Sequence, residues 1–504
     1  MEFLRQLPRL PAHLGNDGPV DSTVAVPPRV VDRLRHASRW TWVVVVLCCA
    51  HAVWMSWLQV RMHLGLGTFA YDVGLYDQGV WLLSRGEAPF VTLMGRNLFG
   101  DHASLILLFL VPLYWVIPGT ATLLVVQAMA IAAGAFPLYL FARRVLSSEP
   151  LAVCAAILWL ANPAVNGTGM ENFHPDSFLG FFLPLALYAL YERKWRLYAV
   201  AVFFALLVKE DVLLIMIPLG VFVAFRFDRR KGILTIVASI VATGLGMFVL
   251  MKSLIGVPTR NGWRIPYGGF SGFLRETVTN PTGVARYLVS EDRALYLFQM
   301  AAPFAAVFAL SPWMTLVAVP VIASNVVSTF WYQHSIQYHY SLVAVPVLVC
   351  ATVFGVKSVG KKWASYVMAG VVACTMVTFF EWGQHSFART PRAVLSADAP
   401  LAVSAREIVK VIPDDAVVSA YDPLVTFLAH RKEIYFFPNP FRAFYYGVGT
   451  EVEGDRLPAA DRVEYVVLPR SLNDELRWDW AEVSPDYEEI ASNELWQVFR
   501  RRQR

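Results

Sequence analysis

The chain has 504 residues, of which 56% are hydrophobic and 16% are charged, and its mean hydropathy is +0.48. In soluble proteins about a quarter of all residues are charged, so this composition excludes an ordinary soluble protein. The net charge of +5 is unevenly distributed, because the segment from Trp382 onward contains more acidic than basic residues. This asymmetry predicts a separate soluble tail. The apolar runs before it are long enough to cross a hydrocarbon core of about 30 Å and predict a polytopic membrane protein.

Residues 1–38 are rich in proline and arginine and predict a mostly disordered cytoplasmic leader. The first apolar run, about 40–60, begins too late and is too long for a cleaved signal peptide, so we interpret it as an uncleaved anchor. All five cysteines lie in apolar runs. They predict buried thiols and neither a disulfide framework nor a metal motif.

The loop over 61–103 carries the motif Tyr-Asp-Val-Gly-Leu-Tyr-Asp-Gln at 71–78. Asp72 and Asp77 are candidate catalytic acids, with Asp72 favoured as the base. Because they are five residues apart, they need not point at one target. Either acid could instead cap a juxtamembrane helix or be solvated. Asp101 and His102 close the loop as candidate substrate-binding residues, the alternative being a helix cap beside a surface histidine.

The segment 104–118 decides the topology, because it is apolar but short and contains two prolines. If it remains at the membrane surface, every later basic cluster falls on the side of the leader, as the positive-inside rule requires. We therefore predict about eleven transmembrane helices over 39–381, juxtamembrane helices in the first outer loop, a cytoplasmic N-terminus and an outward-facing C-terminus in the plasma membrane. The later spans are expected near 120–141, 151–164, 177–192, 197–208, 211–226, 233–252, 296–310, 313–330, 340–356 and 364–381.

The second outer loop contains Glu171, His174 and Asp176 within six residues. Such a density of ionisable groups at a membrane face is costly to maintain without a function. Glu171 and Asp176 are candidate catalytic acids, and His174 is a candidate substrate-binding residue. Together with Asp72 they are also candidate ligands for a divalent cation, Mg²⁺ or Mn²⁺, although their spacing matches no standard metal motif.

Two further clusters are predicted to bind substrate. Lys209, Glu210 and Asp211 lie between two apolar runs, where the lysine could meet a phosphate. They could equally form an internally paired charge cluster. The second cluster is the aromatic segment 331–340, with His334, Tyr338 and His339, which could stack on a sugar or simply belong to an interfacial aromatic belt. The outer loop over 253–295 adds arginines suited to a lipid phosphate.

Residues 382–504 predict a small α/β domain outside the membrane. Short β-like runs occur at 417–420, 434–437 and 463–468, with helical segments at 401–411 and 423–430 between them. The tail contains no glycine-rich nucleotide-binding motif.

Taken together, the motifs at 71–78, 171–176, 209–211 and 337–340 resemble a prokaryotic domain-of-unknown-function family of polytopic membrane proteins, over about residues 40–500. That family is grouped with the GT-C glycosyltransferase superfamily, which includes oligosaccharyltransferases and protein mannosyltransferases. By this resemblance Asp72 is the base or a metal-linked acid, and Glu171 or Asp176 is the acid of the second loop. The chain departs from the better-known branches, because it lacks a Trp-Trp-Asp-type tail motif and an Asp-Glu pair after the first span.

The resemblance implies a membrane glycosyltransferase that transfers a sugar from a polyprenyl-phosphate donor to an extracytoplasmic acceptor, either a cell-envelope glycan or a protein. Two other classes fit the residues. A secondary transporter would use Lys209, Glu210 and Asp211 as a coupling site, but the sequence shows no inverted repeat. A non-catalytic envelope assembly protein would use the tail as a binding module. The expected partners are the lipid bilayer, the lipid-linked sugar and the acceptor, with no nucleic acid.

Overall fold

The computed structural model describes residues 38–445 and 453–503, so the predicted leader lies outside the described residues apart from Ser38. The hydroxyl of Ser38 accepts the backbone N–H of Thr41 at 3.2 Å and caps helix α1 (Arg39–Leu64). One face of α1 packs inward, whereas apolar side chains such as Val46 and Val53 are exposed. An exposed apolar face of this size marks a surface that contacts a membrane.

The loop after α1 is built from short elements. In chain order they are a kinked turn (Ala70–Gly74), α2 (Leu75–Ser84), β1 (Phe90–Val91), β2 (Arg96–Asn97), α3 (Leu98–Asp101), a 3-10 turn (Leu105–Leu110) and α4 (Val111–Tyr114). Strands β1 and β2 form an antiparallel hairpin. Helix α4 and the turn before it coincide with the predicted juxtamembrane segment.

The apolar body of the protein consists of helices. They are α5 (Thr120–Ala133), α6 (Ala135–Leu146), α7 (Glu149–Leu160), α8 (Pro163–Met170), α9 (Leu179–Tyr191), α10 (Trp195–Leu206), α11 (Leu213–Arg226), α12 (Arg229–Gly244), α13 (Lys252–Ile255), α14 (Phe270–Thr279), α15 (Pro281–Val289), α16 (Arg293–Ala301), α17 (Pro312–Val327), α18 (Val345–Ser358) and α19 (Lys361–Trp382). The body is therefore the predicted α-helical polytopic architecture.

Four helical segments of the described chain are long and apolar enough to cross a membrane: Arg39–Leu64, Thr120–Leu146, Arg229–Ile255 and Lys361–Trp382. A fifth is added if α7 and α8, which are bent by 45°, form one broken span. Several shorter apolar helices pack among them. The count of eleven spans stays a prediction.

The helix expected over 296–310 is interrupted. Helix α16 ends at Ala301, and after a 3-10 turn the backbone of Ala305 and Ala306 is left-handed, with φ of 47° and 54°. Pro303 within this turn cannot donate a backbone hydrogen bond, so a continuous helix is disfavoured there.

The tail forms one five-stranded sheet in the order β4-β3-β5-β7-β6. Its elements are α20 (Pro400–Ile408), β3 (Val418–Ala420), β4 (Ile434–Phe436), β5 (Tyr465–Pro469), α21 (Asp474–Val483), β6 (Tyr487–Ser492) and β7 (Trp496–Arg501). Strands β3, β4 and β5 are parallel and correspond to the predicted runs, whereas β6 and β7 add an antiparallel edge that the sequence analysis missed. The predicted α/β character of the tail is confirmed.

The sheet docks on the first loop. The amide of Gln78 in α2 donates to the carbonyls of Arg431 and Lys432, and the hydroxyl of Thr92 donates to the carbonyl of Ile434 at 2.6 Å. Buried hydrogen bonds between segments so far apart in sequence fix the tail beside the 71–78 motif.

Candidate active site

A cavity of about 250 Å³, here called the central cavity, lies where the first loop meets three later loops. Its lining residues are Tyr71, Asp72, Leu75, Tyr76, Asp101, His102, Glu171, His174, Lys209, Arg264, Phe330, Tyr332, Tyr338, His339 and Tyr340. The fold thus brings residues of all four sequence motifs to one place. Carboxylates, histidines, one lysine, one arginine and several aromatic rings share its described lining.

Asp72 lies in the kinked turn before α2, with φ of 65° and ψ of −103°. A non-glycine residue in such a conformation costs on the order of 1–3 kcal/mol and persists only where its surroundings impose it. Its side chain is 42% exposed, and Oδ1 lies 3.1 Å from Nε2 of His174. The turn therefore presents a strained, accessible carboxylate to the cavity.

Glu171 joins the two histidines of the cavity. The backbone N–H of His339 donates to Glu171 Oε2 at 2.7 Å, and His339 Nδ1 lies 3.2 Å from the same oxygen. His174 Nδ1 lies 3.8 Å from it. Gly167 in α8 allows the segment that carries His339 to lie close to Glu171, because a Cβ at position 167 would collide with the carbonyl oxygen of Ile336.

The charges of this group follow from burial and proximity. Burial alone would lower the pKa of His174, but the carboxylates of Glu171 and Asp72 outweigh it and raise that pKa to about 9. Burial raises the pKa of Glu171 to about 8. Burial, together with the charge of His174, holds the pKa of His339 well below its usual range. His174 is therefore the cation of the group at neutral pH.

Glu171, His174 and His339 are also the group of described residues closest to a metal-ligand set, with one potential ligand atom each within 4.8 Å of the others. The two imidazole rings are nevertheless stacked, with centroids 3.7 Å apart and planes 22° apart. The lone pair of an imidazole nitrogen lies in the plane of its ring. In two stacked rings the lone pairs therefore point in nearly parallel planes and do not converge on one ion. Both nitrogens of His174 already face acceptors, the Asn172 carbonyl and Asp72. In this arrangement the residues do not fit a shared divalent cation.

Besides its histidines, the described lining of the central cavity contains two basic side chains, those of Lys209 and Arg264. Lys209 is buried, with Nζ 3.9 Å from Asp176 and 3.6 Å from Asp211. Burial alone would lower the pKa of Lys209, but these carboxylates outweigh it and raise it, so the ammonium stays charged. The guanidinium of Arg264 lies 4.5 Å from the ring centre of Phe330. An ammonium and a guanidinium in one cavity are suited to a phosphate.

Asp101, His102 and Glu210 form a supporting group at the cavity edge. Glu210 accepts the backbone N–H of Ala103 at 3.0 Å and lies 2.7 Å from Nδ1 of His102. Arg96 binds Asp101 at 2.5 Å. Asp101 and His102 line the cavity. Glu210 contacts His102, and Asp176 and Asp211 contact Lys209, without being lining residues themselves.

Asp77 faces away from the central cavity. Its side chain is 1% exposed and accepts hydrogen bonds from Tyr114 at 2.7 Å and Thr120 at 2.5 Å, while Nε2 of His430 lies 2.9 Å away. These partners make Asp77 a structural link between the first loop, α5 and the tail. His334 also lies outside the central cavity and lines a second one.

Some residues around the site were missed in the sequence analysis. The tail residue Asp422 accepts the backbone N–H of Ala70 at 2.7 Å, next to the strained turn. Tyr71 and Tyr76 line the cavity, and their repeat within the 71–78 motif was a usable signal. No local pattern indicated Asp422, because its role depends on how the tail docks.

The protein-family comparison matches residues 62–490 to the family described as "Predicted membrane protein (DUF2079)". The chain belongs to this family. Its membership confirms the resemblance predicted from the four motifs. No curated protein sequence matches the chain.

Two solved structures share the fold. ArnT from Cupriavidus metallidurans bound to undecaprenyl phosphate has a TM-score of 0.55 and 13% identity, covering 92% of this chain and 98% of that chain. The same protein in the apo state has a TM-score of 0.58 and 13% identity, covering 91% and 97%. This DUF2079 protein therefore has the GT-C fold predicted for it.

Proposed function

We propose that this protein is a membrane glycosyltransferase that transfers a sugar from a polyprenyl-phosphate donor to an extracytoplasmic acceptor, either a cell-envelope glycan or a protein. The observation that carries the proposal is the content of the central cavity, where the accessible carboxylate of Asp72 shares one space with Lys209 and Arg264. The GT-C fold supports the reaction class, and the undecaprenyl phosphate bound to ArnT supports the choice of donor.

In the proposed reaction, an acceptor hydroxyl attacks the anomeric carbon of the donor sugar. The bond from that carbon to the phosphate oxygen breaks, and the polyprenyl phosphate leaves with the bonding electrons. The hydroxyl proton passes to Asp72. His174 holds Oδ1 of Asp72, which leaves Oδ2 for the hydroxyl. Lys209 and Arg264 stabilise the charge that develops on the phosphate. Attack opposite the leaving group inverts the anomeric centre.

The proposed reaction uses no divalent cation, because Asp72 already faces Nε2 of His174 at 3.1 Å and Asp176 faces Nζ of Lys209 at 3.9 Å. The cation predicted from Asp72, Glu171, His174 and Asp176 stays a prediction. We propose that transfer continues after chelation. An assay with and without EDTA tests this, and loss of transfer that Mg²⁺ or Mn²⁺ restores would contradict it.

The test of the proposed function uses membranes enriched in the protein and labelled polyprenyl-phosphate-linked hexoses and pentoses. We expect label to move from at least one donor to a non-lipid product, with release of polyprenyl phosphate. Asp72→Asn should remove this transfer without loss of protein from the membrane. Failure to consume any donor, or equal transfer by Asp72→Asn, would overturn the proposal.

A further inference from the structure

A second cavity of about 250 Å³, here called the side cavity, lies next to the central cavity. It is formed by α16, the loop over 331–337, the end of α19 and the segment after it. Trp331 and Trp382 contribute aromatic rings, and Gln299, Gln337 and Gln384 contribute amides. Asp292, Ser335 and Thr390 add a carboxylate and two hydroxyls.

The two cavities share an aromatic wall. Trp331 of the side cavity is stacked on Tyr332 with centroids 4.0 Å apart and meets Tyr338 edge-on at 5.5 Å. Tyr332 and Tyr338 line the central cavity. One layer of side chains therefore separates a molecule in the side cavity from the site that contains Asp72.

His334 gives the side cavity a buried polar group. Its side chain is 2% exposed, and Nε2 lies 3.7 Å from Glu291. Its Nδ1 has no hydrogen bond of normal geometry among the described residues, and only a weaker interaction with the backbone of Asn325 reaches the ring. His334 therefore brings a buried and weakly bonded nitrogen to the wall of the side cavity.

The charges of the lining residues show that the side cavity suits a different kind of ligand from the central cavity. Among its described lining residues, the only carboxyl group is that of Asp292, and none is lysine or arginine. A phosphate or another anion would therefore meet no lysine or arginine among these lining residues. Flat aromatic faces pack on the C–H face of a sugar ring, while amides, hydroxyls and a carboxylate bind its hydroxyl groups.

We propose that the side cavity is the acceptor subsite and binds a neutral glycan. This inference rests on the proposed glycosyltransferase function and names the chemical class of its acceptor. Trp331 and Trp382 stack on the sugar, and the amides select it through its hydroxyl groups. The bound unit is a neighbouring sugar of the acceptor glycan, because the reacting hydroxyl itself must lie in the central cavity with Asp72.

The experiment measures saturation-transfer-difference NMR on the full chain in dimethylamine-oxide detergent, which has no sugar headgroup. The probes are methyl glycosides of mannose, galactose and arabinose. We expect saturation to reach at least one of them in the wild type. Trp331→Ala and Trp382→Ala should reduce the signal at least fivefold, whereas Trp331→Phe, which keeps a ring, should retain much of it.

Trp363→Ala is the matched control, because Trp363 lies in the first turn of the same helix as Trp382 and is 54% exposed. It should leave the signal unchanged. If no glycoside receives saturation, or if Trp331→Ala and Trp382→Ala bind like the wild type with unchanged thermal midpoints, the subsite is overturned. Those tryptophans would then serve as membrane-interface anchors.

The binding result and the transfer result can fail separately. Glycoside binding that depends on the two tryptophans, without any sugar transfer, supports the glycan site and overturns the proposed function. Sugar transfer without such binding overturns the subsite and leaves the proposed function standing.

Discussion

The carboxylates of Asp72 and Asp77 lie five residues apart and meet different surroundings. Asp72 is partly exposed in a strained turn and contacts an imidazole. Asp77 is buried and receives three polar contacts from the first loop, α5 and the tail. Because their surroundings differ, we expect substitution of each acid to have a distinct effect.

Asp72→Asn should reduce sugar transfer by about 10²-fold or more, because it removes the proposed base. The thermal midpoint should change little, since this side chain is 42% exposed. Asp77→Asn should lower the free energy of unfolding by about 1–3 kcal/mol, because it weakens a buried acceptor with several donors. Transfer assays and thermal unfolding of the purified variants measure both effects. Full loss of transfer in folded Asp77→Asn, with activity retained in Asp72→Asn, would reverse the assignment.

The stability of the protein should depend on His174 in the alkaline range. Its pKa is raised to about 9, so the folded state holds this proton more tightly than the unfolded chain does. The resulting stabilisation is complete below the ordinary histidine pKa and is lost as the pH rises through about 9. Glu171, with a pKa raised to about 8, also binds its proton more tightly when folded, so its effect has the same sign.

We therefore expect the thermal midpoint of the wild type to decrease as the pH rises from 6.5 to 9. These limits are the ordinary pKa of histidine and the raised pKa of His174 in the folded protein. His174→Gln should show a smaller fall over that interval, because the imidazole no longer contributes. Arg392→Gln is the control, since it removes a nearby side chain that donates to the Met170 carbonyl and leaves the imidazole of His174 in place. Parallel curves for the wild type and His174→Gln would contradict the assignment of the charge.

Among the elements, the tail contact holds the strained turn. Asp422 accepts the N–H of Ala70, and Thr426 lies 3.0 Å from Thr68 through their hydroxyl oxygens. Phe436 meets the ring of Tyr71 edge-on at 5.2 Å. Since the conformation of Asp72 is unfavourable by itself, these contacts supply the free energy that maintains it.

Asp422→Ala should release the turn, because the N–H of Ala70 loses its acceptor. We expect faster amide exchange in residues 69–76 and about tenfold lower kcat with little change in KM for the donor. Asp422→Asn keeps an acceptor oxygen and should restore both. Hydrogen-exchange mass spectrometry measures the turn independently of the reaction. Unchanged exchange in Asp422→Ala would show that the turn does not depend on the tail.

How well each element could be predicted depends on where its signal lies. Long apolar helices were predictable because each carries its own pattern, and the parallel strands β3, β4 and β5 are short β-branched or aromatic runs. Strand β6 was missed because it contains Glu488 and Glu489 and is largely exposed. The break after α16 was missed because the apolar run continues through Pro303, so its hydrophobicity alone predicts one continuous helix.

The site residues also divide into those with a local sequence signal and those without one. Residues within the motifs at 71–78 and 171–176 could be found, because ionisable groups beside a membrane are conspicuous. The spacing of Asp72 and Asp77 allowed them to point at different targets but could not show that they do. Their separation depends on the kink at Asp72 and on His430 of the tail. Asp422 was unpredictable for the same reason. Its partner lies 352 residues away in sequence.

At the scale of the whole molecule, the basic clusters lie at the end opposite the central cavity. Helices α9, α11 and α18 each begin near a cavity loop and end near a basic cluster. A helix of 13 residues such as α9 spans about 20 Å, at 1.5 Å per residue. At the basic end, Arg144 lies 3.7 Å from Glu192, and Lys231 lies 4.1 Å from the ring centre of Trp195.

The positive-inside rule assigns this basic end to the cytoplasm, so the central cavity and the tail should face outward. Single cysteines introduced into a chain without its five native cysteines test this orientation. In intact cells, a membrane-impermeant maleimide should label Glu482→Cys on exposed α21 and should not label Arg229→Cys at the start of α12. Arg229→Cys should react only after the cells are opened, which shows that the thiol is accessible. The reversed pattern would place Asp72 on the cytoplasmic side, and an extracytoplasmic acceptor would then be impossible.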